Sequence, residues 1–197
     1  MKRNKMKLIS EHHSYYVIKN SLIDILDSQK TLPDKVFKSK FQYFSFITFD
    51  EIFTDFFFEH LSNYISKING GSFWLTTLEP EPILYFKKHF DFFGAMEFSI
   101  TDTEQSFLSA LHEHPRISPA DAIVHSAKVL AIIPPSKTWA IYGDRDANIA
   151  ICAFSKKEEM ESFIMSYTSG VLNGIDSAAD YAYGSSTNTE KLKQNYK

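Results

Sequence analysis

The chain reads as a single α+β domain, a mixed or antiparallel sheet of about five strands with flanking helices. Three observations lead there. The length of 197 residues, 44% hydrophobic and 23% charged, suits one hydrophobic core. Segments of helical period interleave with short apolar runs of strand length. The last two of these runs, Thr138–Tyr142 and Asn148–Phe154, are joined by Gly143-Asp144-Arg145-Asp146, which is turn chemistry, so they predict an antiparallel hairpin rather than a doubly wound parallel sheet. Residues 1–34 form an N-terminal helix and basic arm, residues 35–169 the α+β core, and residues 170–197 a polar C-terminal tail.

Taken in order, Ser14–Leu26 spaces Tyr16, Val17, Ile23 and Leu26 by threes and fours and predicts an amphipathic helix, ended before Pro33. After a Phe/Tyr run over Phe41–Phe46, Thr48 and Glu51 have capping-box spacing and predict a long helix, with Ile52, Phe53, Phe56, Phe57, Leu61, Tyr64 and Ile65 inward and Asn69-Gly70-Gly71 as its stop. Ser72–Leu78 is a strand, closed by Glu79-Pro80-Glu81-Pro82. Pro82 opens a helix to Phe93, with Gly94 as its left-handed end. Ala95–Ile100 is a strand; Thr101-Asp102-Thr103-Glu104 caps a helix to Glu113, and Ser118-Pro119-Ala120-Asp121 starts a short one. Val129–Ile133 and the two hairpin strands follow, then a helix over Lys156–Tyr167. From Gly170 the chain turns rich in Ser, Ala, Asn and Gly, with little to bury.

Aromatic content is concentrated: 16 of the 18 Phe lie between Phe37 and Phe107. Phe41, Phe44, Phe46, Phe49, Phe53, Phe56, Phe57 and Phe58 cannot all face water without making a large sticky patch, so most are core. Two or three exposed ones would make a binding surface, and the spacing leaves open which. Charge is segregated as well. Residues 1–49 carry nine cations against four anions, residues 50–104 three against ten, and residues 105–197 nine against ten. With a net charge of −3, a general electrostatic grip on nucleic acid phosphate is not supported, and no nucleic acid partner is expected. Lys2, Arg3, Lys5 and Lys7 precede no apolar signal core, and no run nears the ~20 apolar residues of a membrane span, so a cytoplasmic address with no membrane contact is expected.

Candidate chemistry is sparse. One cysteine, Cys152, rules out an internal disulfide and a cysteine-built zinc site, and its strand places it among apolar neighbours as an inert thiol. His112-Glu113-His114 is the tightest imidazole cluster, but its two histidines, two residues apart at a helix end, diverge, and the adjacent His12-His13 lack the three or four converging ligands a metal needs. Neither a metal nor another cofactor is expected. Glu51, Asp55 and Glu59 recur every four residues on the long helix and would line one acidic face, either compensated by the basic N-terminal segment, simply solvated, or met by a basic partner. At the hairpin, Trp139, Tyr142, Asp144 and Arg145 form a second candidate patch. There Arg145 either pairs with the carboxylates of its own turn or reaches out to clamp a partner's carboxylate or phosphate.

The hairpin Trp139–Phe154, together with Phe73-Trp74-Leu75, resembles the terminal hairpin of small bacterial proteins of the toxin-immunity type. The resemblance spans 16 of 197 residues and transfers no binding residue. It implies a non-enzymatic inhibitor that caps a cognate toxin. The function expected is therefore a protein-binding module, an immunity or inhibitor protein for a basic toxin, with Glu51, Asp55, Glu59, Trp139, Tyr142, Asp144 and Arg145 as partner-binding candidates. The alternative is a small hydrolase-like enzyme whose site assembles from His112, His114, Asp144 and Arg145 without a linear motif.

Overall fold

A computed structural model describes residues 7–115, 118–167 and 170–197; the expected arm residues Lys2, Arg3 and Lys5 lie outside these. The architecture is a single α+β domain built on one antiparallel sheet of seven strands rather than about five. Its strands are β1 (Tyr43–Thr48), β2 (Ser72–Glu79), β3 (Ala95–Ser99), β4 (Val129–Ile133), β5 (Trp139–Asp144), β6 (Ile149–Phe154) and β7 (Val171–Leu172). They lie in the order β3-β2-β4-β5-β6-β1-β7. The five strands legible in the sequence are β2 to β6. The two additions have different causes: β1 was hidden because its Phe/Tyr run gives no alternation, and β7 because it is two residues long.

Helices cover both faces. On one side lie α2 (Asp55–Lys67), α4 (Glu104–Leu111), α5 (Ile123–Ser126) and α6 (Lys157–Ser166), over a core that includes Phe57, Phe58, Phe73, Phe98, Phe107, Trp139, Cys152 and Phe154. On the other lie α1 (His12–Ile25), α7 (Gly174–Tyr183) and α8 (Thr187–Tyr196), over Phe37, Phe41, Phe46, Tyr142, Ile149 and Ile151. Adjacent strand residues alternate between the two cores, as with Cys152 and Ile151. Covered on both sides, β4, β5 and β6 are almost wholly buried, which is why they read as continuous apolar runs.

Several local expectations shift by a few residues, each for a hydrogen-bonding reason. Thr48 and Glu51 do not cap α2. The stretch Phe49–Phe53 is a separate 3-10 turn, and Thr54 caps the helix by accepting from Phe57 N at 3.1 Å. Thr103, not Thr101, caps α4, accepting from Ser106 N at 3.1 Å, while Asp102 holds Ser99 N at 2.8 Å. The helix expected over Pro82–Phe93 is a π-helical turn over Pro82–Lys87 continued by α3 (Lys88–Phe90), and Asp91 rather than Gly94 takes the left-handed conformation, at φ 62°. Gly94 serves closeness instead: a Cβ there would lie 2.6 Å from a Phe86 ring carbon.

The expectation of a polar, unburied tail from Gly170 is corrected. α7 and α8 pack on the sheet and bury Ala178, Ala179, Leu192 and Tyr196. Tyr196, 2% exposed, accepts a 2.9 Å hydrogen bond from Val36 N and donates one of 2.9 Å to the Asp34 carbonyl. The N-terminal helix is equally integrated: Tyr15 of α1 stacks on Phe93 with ring centres 4.1 Å apart. Among the described residues, no helix is long and apolar enough to cross a membrane.

Candidate functional site

The cap at Thr54 sets the phase of α2, and the phase decides which aromatic faces water. Phe57, Phe58, Leu61, Tyr64 and Ile65 turn into the core. Phe56 turns outward at 57% exposure, alone among the chain's phenylalanines in being an exposed large side chain. Asp55 and Glu59 stand beside it, one turn apart on the same solvent face. Among the described residues neither carboxylate has an ion-pair partner within 4 Å. Asp55 accepts only from Phe56 N, at 2.9 Å. Two described lysines of the N-terminal segment pair elsewhere, Lys7 with Asp102 at 2.7 Å and Lys30 with Asp27 at 3.1 Å. Among the described residues, no cation of the basic segment pairs with Asp55 or Glu59.

Glu51 leaves that face. It lies in the 3-10 turn before Thr54, off the helix, with its carboxylate against Gly170, where a Cβ would come within 2.6 Å of Glu51 Oε2. Its negative charge adds to the burial that pushes the Tyr167 phenol upward.

The hairpin candidates are placed differently from the expected surface patch. Trp139 is 1% exposed and meets the Tyr64 ring edge-on at 6.0 Å, because β5 is a central strand. Tyr142, 3% exposed, points to the opposite core beside Phe37. Asp144 closes the turn: its Oδ1 accepts from Asp146 N at 3.0 Å and Ala147 N at 3.1 Å. Burial raises the Asp144 carboxyl above the usual range, against those two hydrogen bonds, which lower it.

Arg145 is an internal tie rather than an outward clamp. Its Nε donates to the Ala127 carbonyl at 2.7 Å and a terminal nitrogen to the Val124 carbonyl at 2.8 Å, so it holds the last carbonyls of α5. The guanidinium lies 4.8 Å from the Phe49 ring centre and 5.5 Å from that of Phe53. Phe49 can approach because Gly143 has no Cβ; one there would sit 3.0 Å from the ring. Asp50, not a carboxylate of the turn, is the charge Arg145 faces, at 4.0 Å.

Of the dispersed enzyme set, Asp144 and Arg145 adjoin in the hairpin turn, and Arg145 reaches the Val124 carbonyl, next to His125 in the chain. His112 stacks edge-on with His125 at 5.6 Å, whereas His114 Nδ1 contacts the Pro115 carbonyl at 2.8 Å. Cys152 is buried beside Ser45, its thiol pushed up by desolvation. Among the described residues no group of three His, Cys, Asp or Glu side chains is placed to hold a metal ion. Sequence reasoning also missed a polar cluster, in which the Tyr85 hydroxyl and the Ser118 hydroxyl each donate to the Asp121 carboxylate. Its parts are 36 and 3 residues from Asp121, and only the latter separation is a local signal. No protein-family model, curated protein or solved structure matches this chain.

Proposed function

We propose that this chain is a non-enzymatic protein-binding module, an inhibitor of the immunity type, which engages a basic partner through the outward face of α2. The observation that carries the reading is Phe56, 57% exposed between Asp55 and Glu59, with neither carboxylate ion-paired among the described residues. A large aromatic ring in a polar rim is the usual anatomy of an interface anchor. Unpaired carboxylates beside it would steer and orient a cationic surface, acting on the association rate more than on the lifetime. The core makes the face rigid, because the buried side of α2 packs through Phe57, Phe58 and Tyr64.

The test is affinity capture from the native cell with the wild-type chain and with a Asp55→Asn, Phe56→Ala, Glu59→Gln variant, followed by association kinetics on the purified partner. All three positions are exposed, so the variant should melt within about 2 °C of wild type. The reading expects a basic partner whose association slows on substitution and whose salt dependence flattens. Equal capture by both chains, with unchanged salt dependence, would refute it.

A further inference from the structure

The opposite face of the sheet carries a cleft of about 350 Å³ that the α2 surface does not involve. It opens between α1, the turn after it, and the corner where β2 runs into Pro82. Its volume falls within the range of small-molecule sites. Leu22, Leu26, Val129 and the rings of Tyr15 and Tyr142 give it an apolar lining, and Tyr15 is held in place by its face-to-face stack on Phe93. The lining is therefore preformed rather than assembled on binding.

The charges around the cleft decide what it can take. Five charged residues line it: Lys19, Asp27, Lys30, Glu79 and Glu81. Asp27 pairs with Lys30 at 3.1 Å, and Glu79 with Lys128 at 3.6 Å. Glu81 caps the helical turn that follows it, accepting from Ile83 N at 2.7 Å and from Leu84 N. Lys19 is partly buried and has no carboxylate within ion-pairing distance among the described residues; its ammonium lies 5.9 Å from the Tyr16 ring centre. Asp27 and Glu79 are thus ion-paired, Glu81 is hydrogen-bonded by two amides but keeps its charge, and Lys19 is the lining cation without a carboxylate partner among the described residues.

We infer that the cleft binds a small amphipathic carboxylate, with its apolar body on Tyr15, Leu22 and Tyr142 and its anionic head on Lys19. A charge-assisted hydrogen bond from the ammonium orients the ligand, and burial of its chain supplies most of the affinity. Lys19 is the residue that sets specificity for a negative head, against the residual field of Glu81.

Titration calorimetry with decanoate, decanol and decylamine tests this on the full chain. Two variants keep the fold controlled: Lys19→Met retains the side-chain length, and Ile23→Trp fills the cleft mouth from a position that is 53% exposed. The expected result is one decanoate per chain, weakened about tenfold or more by Lys19→Met, with decanol binding unchanged by that substitution. Ile23→Trp should abolish both. Three outcomes would overturn the inference: absence of decanoate binding at millimolar concentration, equal decanoate affinity in wild type and Lys19→Met, or a preference for decylamine, which would give the cleft to Glu81. None of these bears on the α2 surface, which lies across the sheet.

Discussion

Replacing Tyr196 by Phe removes one oxygen that holds together two parts of the chain 160 residues apart. The hydroxyl accepts from Val36 N and donates to the Asp34 carbonyl, both at 2.9 Å. Val36 is fully buried, so its amide would be left without an acceptor and without access to water. An orphaned buried donor costs about 1–3 kcal/mol. Asp34 is less buried, and its carbonyl can recover a water, so the loss is dominated by the Val36 amide. For a chain of this length about 1 kcal/mol moves the melting temperature by about 2–4 °C, giving an expected drop of about 2–12 °C. Tyr196→Ala also removes the ring that meets Phe44 at 5.1 Å and Phe37 at 6.4 Å, which adds about 3–5 kcal/mol for an emptied aromatic site. That sum approaches the whole stability of an ordinary domain, so the Ala variant should be largely unfolded at 37 °C. Thermal melts followed by circular dichroism, with urea titrations of the Phe variant, provide the measurement. A Phe variant melting within 1 °C of wild type would refute the reasoning, and with it the docking of α8 as a structural necessity.

Three further outcomes are expected. Asp144→Asn keeps an acceptor for the turn amides but removes a carboxylate whose burial raises its pKa; the folded state then holds the proton more tightly than the unfolded one, so the native carboxylate loses stability as pH rises above its unfolded value of 3.8, and the Asn variant should melt higher at pH 7 with the gain vanishing below about pH 4. A gain that persists at pH 3 would show that charge is not its cause. Arg145→Ala should cost about 2–4 kcal/mol in urea titration, and Arg145→Lys should recover less than half, because an ammonium cannot serve the Val124 and Ala127 carbonyls together while stacking on Phe49; a change under about 0.5 kcal/mol would mean that the tie is dispensable. Gly94→Ala should cost about 1–3 kcal/mol on the same assay, since its Cβ would collide with Thr77 Oγ1 and with Phe86, and a neutral substitution would show that the Phe86 ring yields.

Much of this fold is written in short-range signals. The hairpin turn at Asp144 and the existence of a helix at α1 depend on groups within four residues of one another, and spacing records such relations directly, although the face α1 buries is Tyr15, Ile18, Leu22 and Ile25 rather than Tyr16, Val17 and Ile23. The apolar runs of β4, β5 and β6 announced strands for the same reason. Their meaning for Trp139 did not follow, because an indole on a central strand is core only if a helix lies over it, and α2 supplies Tyr64 from a distant part of the chain. Arg145 presents the same limit: its neighbours in sequence are carboxylates, yet its partners are carbonyls 18 and 21 residues away and rings from the turn before α2.

Phe56 and the C-terminal helices mark the boundary most clearly. At about 100° per residue the inward arc of α2 is set by Phe57, Phe58, Leu61, Tyr64 and Ile65, which leaves Phe56 exposed, and because the helix begins after Thr54 rather than Thr48, Glu51 falls in the preceding turn and leaves the acidic face. In α7 and α8 the composition is polar, and no count of apolar residues foretells docking. What holds them is the fit of a few small and aromatic side chains, Ala178, Ala179, Leu192 and Tyr196, onto a sheet face that exists only once β1, β5 and β6 are side by side. Local pattern determines what an element is, because its forces act within a turn or a strand pair. Where that element goes, and which of its residues remain for a partner, depends on burial summed over surfaces that the chain brings together only on folding.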